Sequence, residues 1–358
     1  MIEFGDKIRR IPAYPTAAGY DLGPEVALLA SNETAFAPAE PVQAAAARAL
    51  AGANRYPDPS YSPLRKALSA HYDIPVERIA LGNGSCDVLL SAGEALLEEG
   101  AELVYAWPAF SVYPHLAAAS GARAIEVSLD GEHRHDLDAI AKEITVATRL
   151  VLICNPNNPT STAVGLDEIE SFLEQVPAHV AVILDEAYIE FSLVVGDPLA
   201  SVPLLERFPN LVLLRTFSKV YGLAGLRVGY ALCGSAEFAT AVDQVRQPFY
   251  LTAPAVAAAT EALAHQDEVE RRVSATVGSR ETLVAALRER GLWVAESDAN
   301  FVWLRLRGSE PEVVEGLRER GVLVRAGAAL GHAGYLRVTV GTDAENAKFV
   351  DSLDALVA

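Results

Sequence analysis

Three things are scarce in this 358-residue sequence, and each scarcity removes a class of function. Positive charge is the first: 29 lysines and arginines against 47 aspartates and glutamates leave a formal charge of −18. That field repels nucleic acid and anionic membrane surfaces, so neither is an expected partner. An anionic small molecule would need arginines placed locally against the mean field. Cysteine is the second. Cys86, Cys154 and Cys233 are scattered without metal-ligand spacing, the usage of a reduced protein with no metal site. Long apolar runs are the third. None approaches the roughly 18 residues of a spanning helix, and Met1–Arg10 carries mixed charge where a signal peptide would be apolar. A cytoplasmic location is expected.

What is present is the composition of a globular enzyme, 51% hydrophobic and 21% charged. The length allows one large and one smaller domain. Residues 1–30 form an arm rich in Pro, Tyr and Gly without helical or strand period. From about 80 to 245, apolar β-prone runs alternate with helical stretches: strands at Ile79–Leu81, Glu102–Ala106, Arg123–Val127, Leu150–Cys154, Ala181–Leu184, Leu211–Leu214 and Arg227–Cys233. Such alternation predicts an α/β fold whose mainly parallel sheet is covered on both faces. After Gln247-Pro248 the pattern changes to two long helices and strands at Phe301–Leu306, Val322–Arg325 and Tyr335–Val340. This predicts a large domain over 31–248 and a small α+β C-terminal domain over 249–358.

The residues with chemistry cluster where strands end, the edge at which open α/β sheets bind ligands. Ser218-Lys219 follows a buried strand and leads through Gly222 and Gly225 to Arg227. A lysine there desolvates and becomes an amine nucleophile toward carbonyls. Arg227 can hold a phosphate bidentately, with the Ser218 hydroxyl assisting. Gly82-Asn83-Gly84-Ser85-Cys86-Asp87 lies between a strand and a helix start, where backbone N–H groups face a phosphate. Its spacing lacks the third glycine of a dinucleotide fingerprint, which counts against a nicotinamide enzyme. Two prolines pin Cys154–Thr160, projecting Asn158 from a fixed loop. Asp185 leaves a buried strand, where a carboxylate needs a cationic partner such as a protonated pyridine, and Tyr188 is near it in sequence. Phe110 can stack on a flat ring or fill core. Arg325 and Arg337 sit on strands of the small domain and call for an anion. His133 and His135 stand among charged residues and read as a solvated loop.

In this order these motifs resemble the histidinol-phosphate aminotransferase family of fold-type I pyridoxal 5′-phosphate (PLP) enzymes. The match runs from Leu29-Ala30-Ser31-Asn32-Glu33 and Arg55-Tyr56-Pro57-Asp58 to Ala299-Asn300-Phe301 and Leu336–Gly341. The resemblance implies a seven-stranded large-domain sheet and PLP as cofactor. It implies that Lys219 carries the cofactor covalently and moves the proton between substrate Cα and cofactor C4′. Asp185 would keep the pyridine nitrogen protonated, Asn158 and Tyr188 would bind the phenolate oxygen, and Phe110 would stack on the ring. Gly84, Ser85, Cys86, Ser218 and Arg227 would hold the phosphate, joined by Tyr56 from the neighbouring subunit of a homodimer. Arg337 would pair with the substrate carboxylate, with Asn32 and Asn158 close by, while Arg325 and Tyr14 would line the side-chain pocket.

Three positions depart from the family pattern: Ser161 where glycine is usual, Cys86 where an acidic residue is common, and Phe110 for a frequent tyrosine. Ser161, with Leu29–Thr34, is similar to a branch acting on aromatic amino acids. The expected reaction is transamination with 2-oxoglutarate and glutamate. Histidinol phosphate is the first amino donor considered and phenylalanine the second. A decarboxylase on the same scaffold is the third reading, because the cofactor alone does not set which Cα bond breaks. A ligand-binding protein with a vestigial site is disfavoured by the presence of Lys219.

Overall fold

The computed structural model describes residues 2–5, 7–11, 23 and 25–357. Tyr14 lies outside the described residues. Strand β1 (Ala27–Leu28) precedes the seven strands of the main sheet: β2 (Ile79–Gly82), β3 (Glu102–Trp107), β4 (Arg123–Ser128), β5 (Thr148–Cys154), β6 (Ala181–Asp185), β7 (Leu211–Thr216) and β8 (Gly229–Cys233). Their spatial order is β2-β8-β7-β6-β5-β3-β4. Only β8 runs against its neighbours; the other adjacent pairs are parallel. The fold class is therefore α/β with a mostly parallel seven-stranded sheet.

Helices cover both faces, so the central strands are apolar throughout, and their two-residue period deals side chains to two cores. Leu211 and Leu213 enter one core with Val182 and Leu184. Val212 and Leu214 enter the other with Ile183 and Tyr113. The same alternation separates two adjacent acids. Asp185 shares the face of Ile183, whereas Glu186 meets Arg215 on the opposite face. That ion pair is 2.8 Å long and both side chains are 1% exposed. Arg215 also donates to Tyr72 Oη at 3.3 Å and to Ser201 Oγ at 3.1 Å. Replacing Arg215 by methionine strands Glu186 in the core, and urea denaturation is expected to show a loss of about 3–5 kcal/mol.

The C-terminal strands are β9 (Phe301–Arg305), β10 (Val322–Leu323), β11 (Arg325–Ala326) and β12 (Tyr335–Thr339). They do not form the continuous Val322–Arg325 strand expected from sequence. Val322 and Leu323 pair in parallel with Ala27 and Leu28, whereas Arg325 and Ala326 pair antiparallel with Arg337 and Leu336. Two partners in different sheets divide the run. For the domain limits we propose 1–30, 31–248 and 249–358, with two elements crossing them. Helix Ala253–Ala262 packs on helices Glu40–Leu50 and Ser62–Tyr72, and β1 belongs with β10.

The 131–135 loop is not the solvated loop expected. His135 is 6% exposed, and burial lowers its pKa to about 4. The His133 ring lies 4.9 Å from Trp293 and 5.3 Å from Tyr335. Gly131 and Glu132 stay exposed, but the C-terminal unit packs on His133, a contact that local charge does not reveal. Among the described residues no helix is long and apolar enough to cross a membrane, and no group of three His, Cys, Asp or Glu side chains could hold a metal ion.

Candidate active site

At the C-terminal ends of β5, β6 and β7 lies a cavity of about 320 Å³. Its lining includes Cys86, Phe110, Asn158, Tyr188, Ser218 and Lys219, with Ser85, Asp185 and Arg227 also at the wall. The strands stop here because tight turns follow them. After β7, Phe217 N–H bonds to Val228 O at 3.0 Å and Gly222 N–H to Lys219 O at 2.9 Å, which holds Lys219 at the sheet edge.

The Lys219 amine donates to Ser31 O at 3.2 Å and lies 5.5 Å from the centre of the Tyr188 ring. Burial, followed by the positive charge of Arg337, lowers its pKa to about 7. An amine near neutrality is a nucleophile at physiological pH. Asp185 is buried, and burial raises its carboxyl to about 6 despite the hydroxyl of Tyr113 donating at 2.9 Å. Tyr188 accepts from Asn32 Nδ2 at 3.1 Å. Asn158 Oδ1 accepts from Arg337 Nη1 at 2.6 Å, which brings β12 of the second unit to the rim.

On the other side of the cavity, helix Ser85–Leu96 starts after Gly84, whose φ is +83°. A Cβ on Gly84 would come within 2.3 Å of Arg227 Nη2, so only glycine lets the guanidinium lie over this turn. Ser85 and Cys86 open the helix, and burial pushes the Cys86 thiol up to about 11, leaving it neutral. Ser218 N–H bonds to Thr216 Oγ1 at 3.0 Å.

Tyr56 stands apart from this cavity. It is 81% exposed and stacks on Phe249 at 4.4 Å. Arg325 lies opposite Arg337 in the β11–β12 register, so both project from the same face of that sheet.

These groups suit one kind of guest. Two hydroxyls, a guanidinium and a helix N-terminus make a phosphate cradle. Across the cavity a buried carboxylate, with no cation at hydrogen-bond distance among the described residues, suits a protonated ring nitrogen, and a lysine whose pKa is lowered toward neutrality suits an aldehyde. PLP has all three features, and when bound it supplies an electron sink for charge developing at a substrate Cα. A fold with this lysine at the sheet edge defines a fold-type I PLP enzyme.

The aminotransferase class I and II family matches residues 24–353, and the chain belongs to that family. It is a PLP-dependent aminotransferase. An aromatic amino acid aminotransferase from Thermobifida fusca is 45% identical over 326 residues, covering 90% of this chain and 88% of that one. An enzyme of the same description from Rhodococcus erythropolis is 41% identical over 348 residues, 97% of this chain and 94% of the other. Among solved structures, the histidinol-phosphate aminotransferase of Sinorhizobium meliloti in complex with PLP superposes with a TM-score of 0.87 at 27% identity, covering 100% of this chain and 98% of that chain.

One residue, and the contacts of another, escape sequence reasoning. Tyr113 reaches Asp185 from the first turn of helix Tyr113–Ser120. The only signal for it is a position three residues after Phe110, which puts both on one side of a helical turn. Ser161 is visible as a departure from glycine, but its contacts, all to residues 297–301 and to its own loop, are not.

Proposed function

We propose that the enzyme transfers the amino group of an aromatic L-amino acid to a 2-oxo acid such as 2-oxoglutarate. The likeness to enzymes named for aromatic amino acids, at 41–45% identity over most of the chain, carries this reading. Three solved structures bearing the histidinol-phosphate name stand at 23–27%. The geometry agrees. Arg337 is buried on β12 directly opposite Trp303 on β9, and Trp303 stacks on Tyr335 at 5.0 Å with a 5° interplanar angle. The guanidinium of Arg337 also lies 5.5 Å from the centre of the Phe301 ring.

In this reading Lys219 holds the cofactor and then carries a proton from substrate Cα to C4′, a task suited to an amine with a pKa near the working pH. Asp185 pairs with the ring nitrogen, and Asn158 and Tyr188 bond the phenolate oxygen. Phe110 covers the ring. Gly84, Ser85, Cys86, Ser218 and Arg227 receive the phosphate. Arg337 takes the α-carboxylate, near Asn32 and Asn158, and Arg325 and Tyr14 belong to the side-chain pocket. We place Tyr56 at the neighbouring subunit's site, since it is exposed and outside its own cavity, and propose a cytoplasmic homodimer.

Single-turnover absorbance of the PLP form tests the substrate. Mixing with L-phenylalanine is expected to convert the cofactor at least about tenfold faster than mixing with L-histidinol phosphate at equal concentration. The reverse ranking overturns the aromatic reading. In Arg325→Ala, turnover with glutamate is expected to fall by about tenfold more than turnover with phenylalanine, because only glutamate carries a second anion.

A further inference from the structure

Ser161 is fully buried and has a backbone φ of +64°. That region is unfavourable for any L-residue with a Cβ, so a serine here works against the backbone. Its hydroxyl gives the reason. Ser161 Oγ accepts the N–H of Asp298 at 3.2 Å and of Ala299 at 3.1 Å, and donates to Phe301 O at 2.8 Å. Ser297 Oγ, 2.8 Å away, donates to the same carbonyl at 2.7 Å. The Asp298 N–H also reaches Ser161 O at 2.7 Å.

The turn bearing Ser161 is closed by other bonds. Ser161 N–H bonds to Asn157 O at 2.7 Å, Asn157 Nδ2 to Thr160 Oγ1 at 2.8 Å, and Asn155 Nδ2 to Val164 O at 3.0 Å. Asn158 therefore keeps its place without the Ser161 side chain. Beside the backbone bond from Asp298 N–H to Ser161 O, the hydroxyl adds its bonds to Asp298, Ala299 and Phe301, which tighten the spacing between this turn and the start of β9. From β9 the spacing passes to β12, because Phe301 pairs with Thr339 and Trp303 with Arg337. Arg337 then closes the circuit on Asn158, with Nη1 2.6 Å from Oδ1, and its Nη2 donates to Ala30 O at 2.6 Å.

We infer that Ser161 is a positioning residue: its hydroxyl sets the distance between the Asn158 turn and the β9–β12 pair, and thereby presents Arg337 to the carboxylate of the substrate. The inference rests on the reading of Arg337 as the carboxylate group's partner. It concerns substrate binding, since the turn that holds Asn158 is closed independently.

The test uses holoenzyme carrying Ser161→Ala or Ser161→Gly, with L-phenylalanine as substrate and 3-phenylpropanoate as an unreactive carboxylate. Both variants are expected to raise KM for phenylalanine and Ki for 3-phenylpropanoate by about tenfold, with kcat changed by less than about twofold. The pH midpoint of the cofactor absorbance is expected to stay in place. Serine and alanine pay the same left-handed φ and glycine does not, so a role confined to the backbone predicts that alanine matches wild type and glycine matches or exceeds it. That pattern, or unchanged KM and Ki with only a lower thermal midpoint, overturns the inference. Arg337→Lys separates the two readings. If it leaves Ki unmoved, the carboxylate reading of Arg337 falls and the inference falls with it; if it raises Ki while the Ser161 variants do not, the reading of Arg337 stands and the inference alone is overturned.

Discussion

Replacing Lys219 by alanine is expected to lower kcat by at least about 10⁴-fold, because in the proposed reading the variant loses both the covalent anchor and the base that moves the Cα proton. Cofactor binding should survive in weakened form. The phosphate cradle of Ser85, Ser218 and Arg227 and the carboxylate of Asp185 all remain at the cavity wall. Desalting should therefore strip the cofactor from the variant and leave it on the wild type. Undiminished turnover in Lys219→Ala would remove the assignment. The apoprotein offers a second readout. The Lys219 pKa is lowered from 10.5 to about 7, chiefly by burial. The native amine therefore binds its proton less tightly than the unfolded one, and the resulting cost to stability is fully present below pH 7. It fades as pH rises from about 7 to 10.5, so Lys219→Ala apoprotein should melt above wild type at pH 6 and converge with it at high pH.

The second large effect is expected at Asp185. Its carboxyl is raised from 3.8 to about 6, with burial as the leading cause and the Tyr113 hydroxyl and Ala187 N–H opposing it. For a raised acid the native state holds the proton more tightly than the unfolded chain. Its contribution to stability is full below about pH 4 and is lost as pH rises through 6. At pH 8 the buried anion costs the apoprotein about 3 kcal/mol. Asp185→Asn keeps the shape and an acceptor for Tyr113 while removing the anion. Its apoprotein should be more stable than wild type at pH 8 by up to that amount and nearly equal at pH 4. In the proposed reading the same change removes the partner of the ring nitrogen, and kcat is expected to fall by about 10³-fold. An Asp185→Asn enzyme with ordinary turnover would show that the carboxylate faces something else. Higher stability coupled to lost activity is the signature of a charge buried for function.

Much of the site is legible in the sequence because it is local. Lys219, Asp185, Asn158 and the Gly84 turn each follow a strand recognisable by its apolar run, and in a parallel sheet such ends share one edge. The seven strands were also readable, since full burial requires nearly unbroken apolar stretches such as Leu211–Leu214. The division of Val322–Arg325 between two sheets was not, because its partners are Ala27–Leu28 and Arg337–Leu336, distant in sequence and unmarked by any period. The aromatic contacts of His133 with Trp293 and Tyr335 escaped for a related reason. A loop among charged residues looks solvated until another unit lies on it.

The amino-acid order alone was enough for the α/β architecture, which depends on strand period, and for the aminotransferase family, which its motifs in their order resemble; turn chemistry marked Lys219, Asp185 and Asn158, which the structure brings to one cavity. The tertiary structure decided which groups support those residues. Tyr113 meets Asp185 across 72 positions, Ser161 meets Phe301 across 140, and Arg337 meets Asn158 across 179. Hydrogen bonds over such separations are set by how sheets and loops pack in three dimensions, and no local pattern in the chain encodes them.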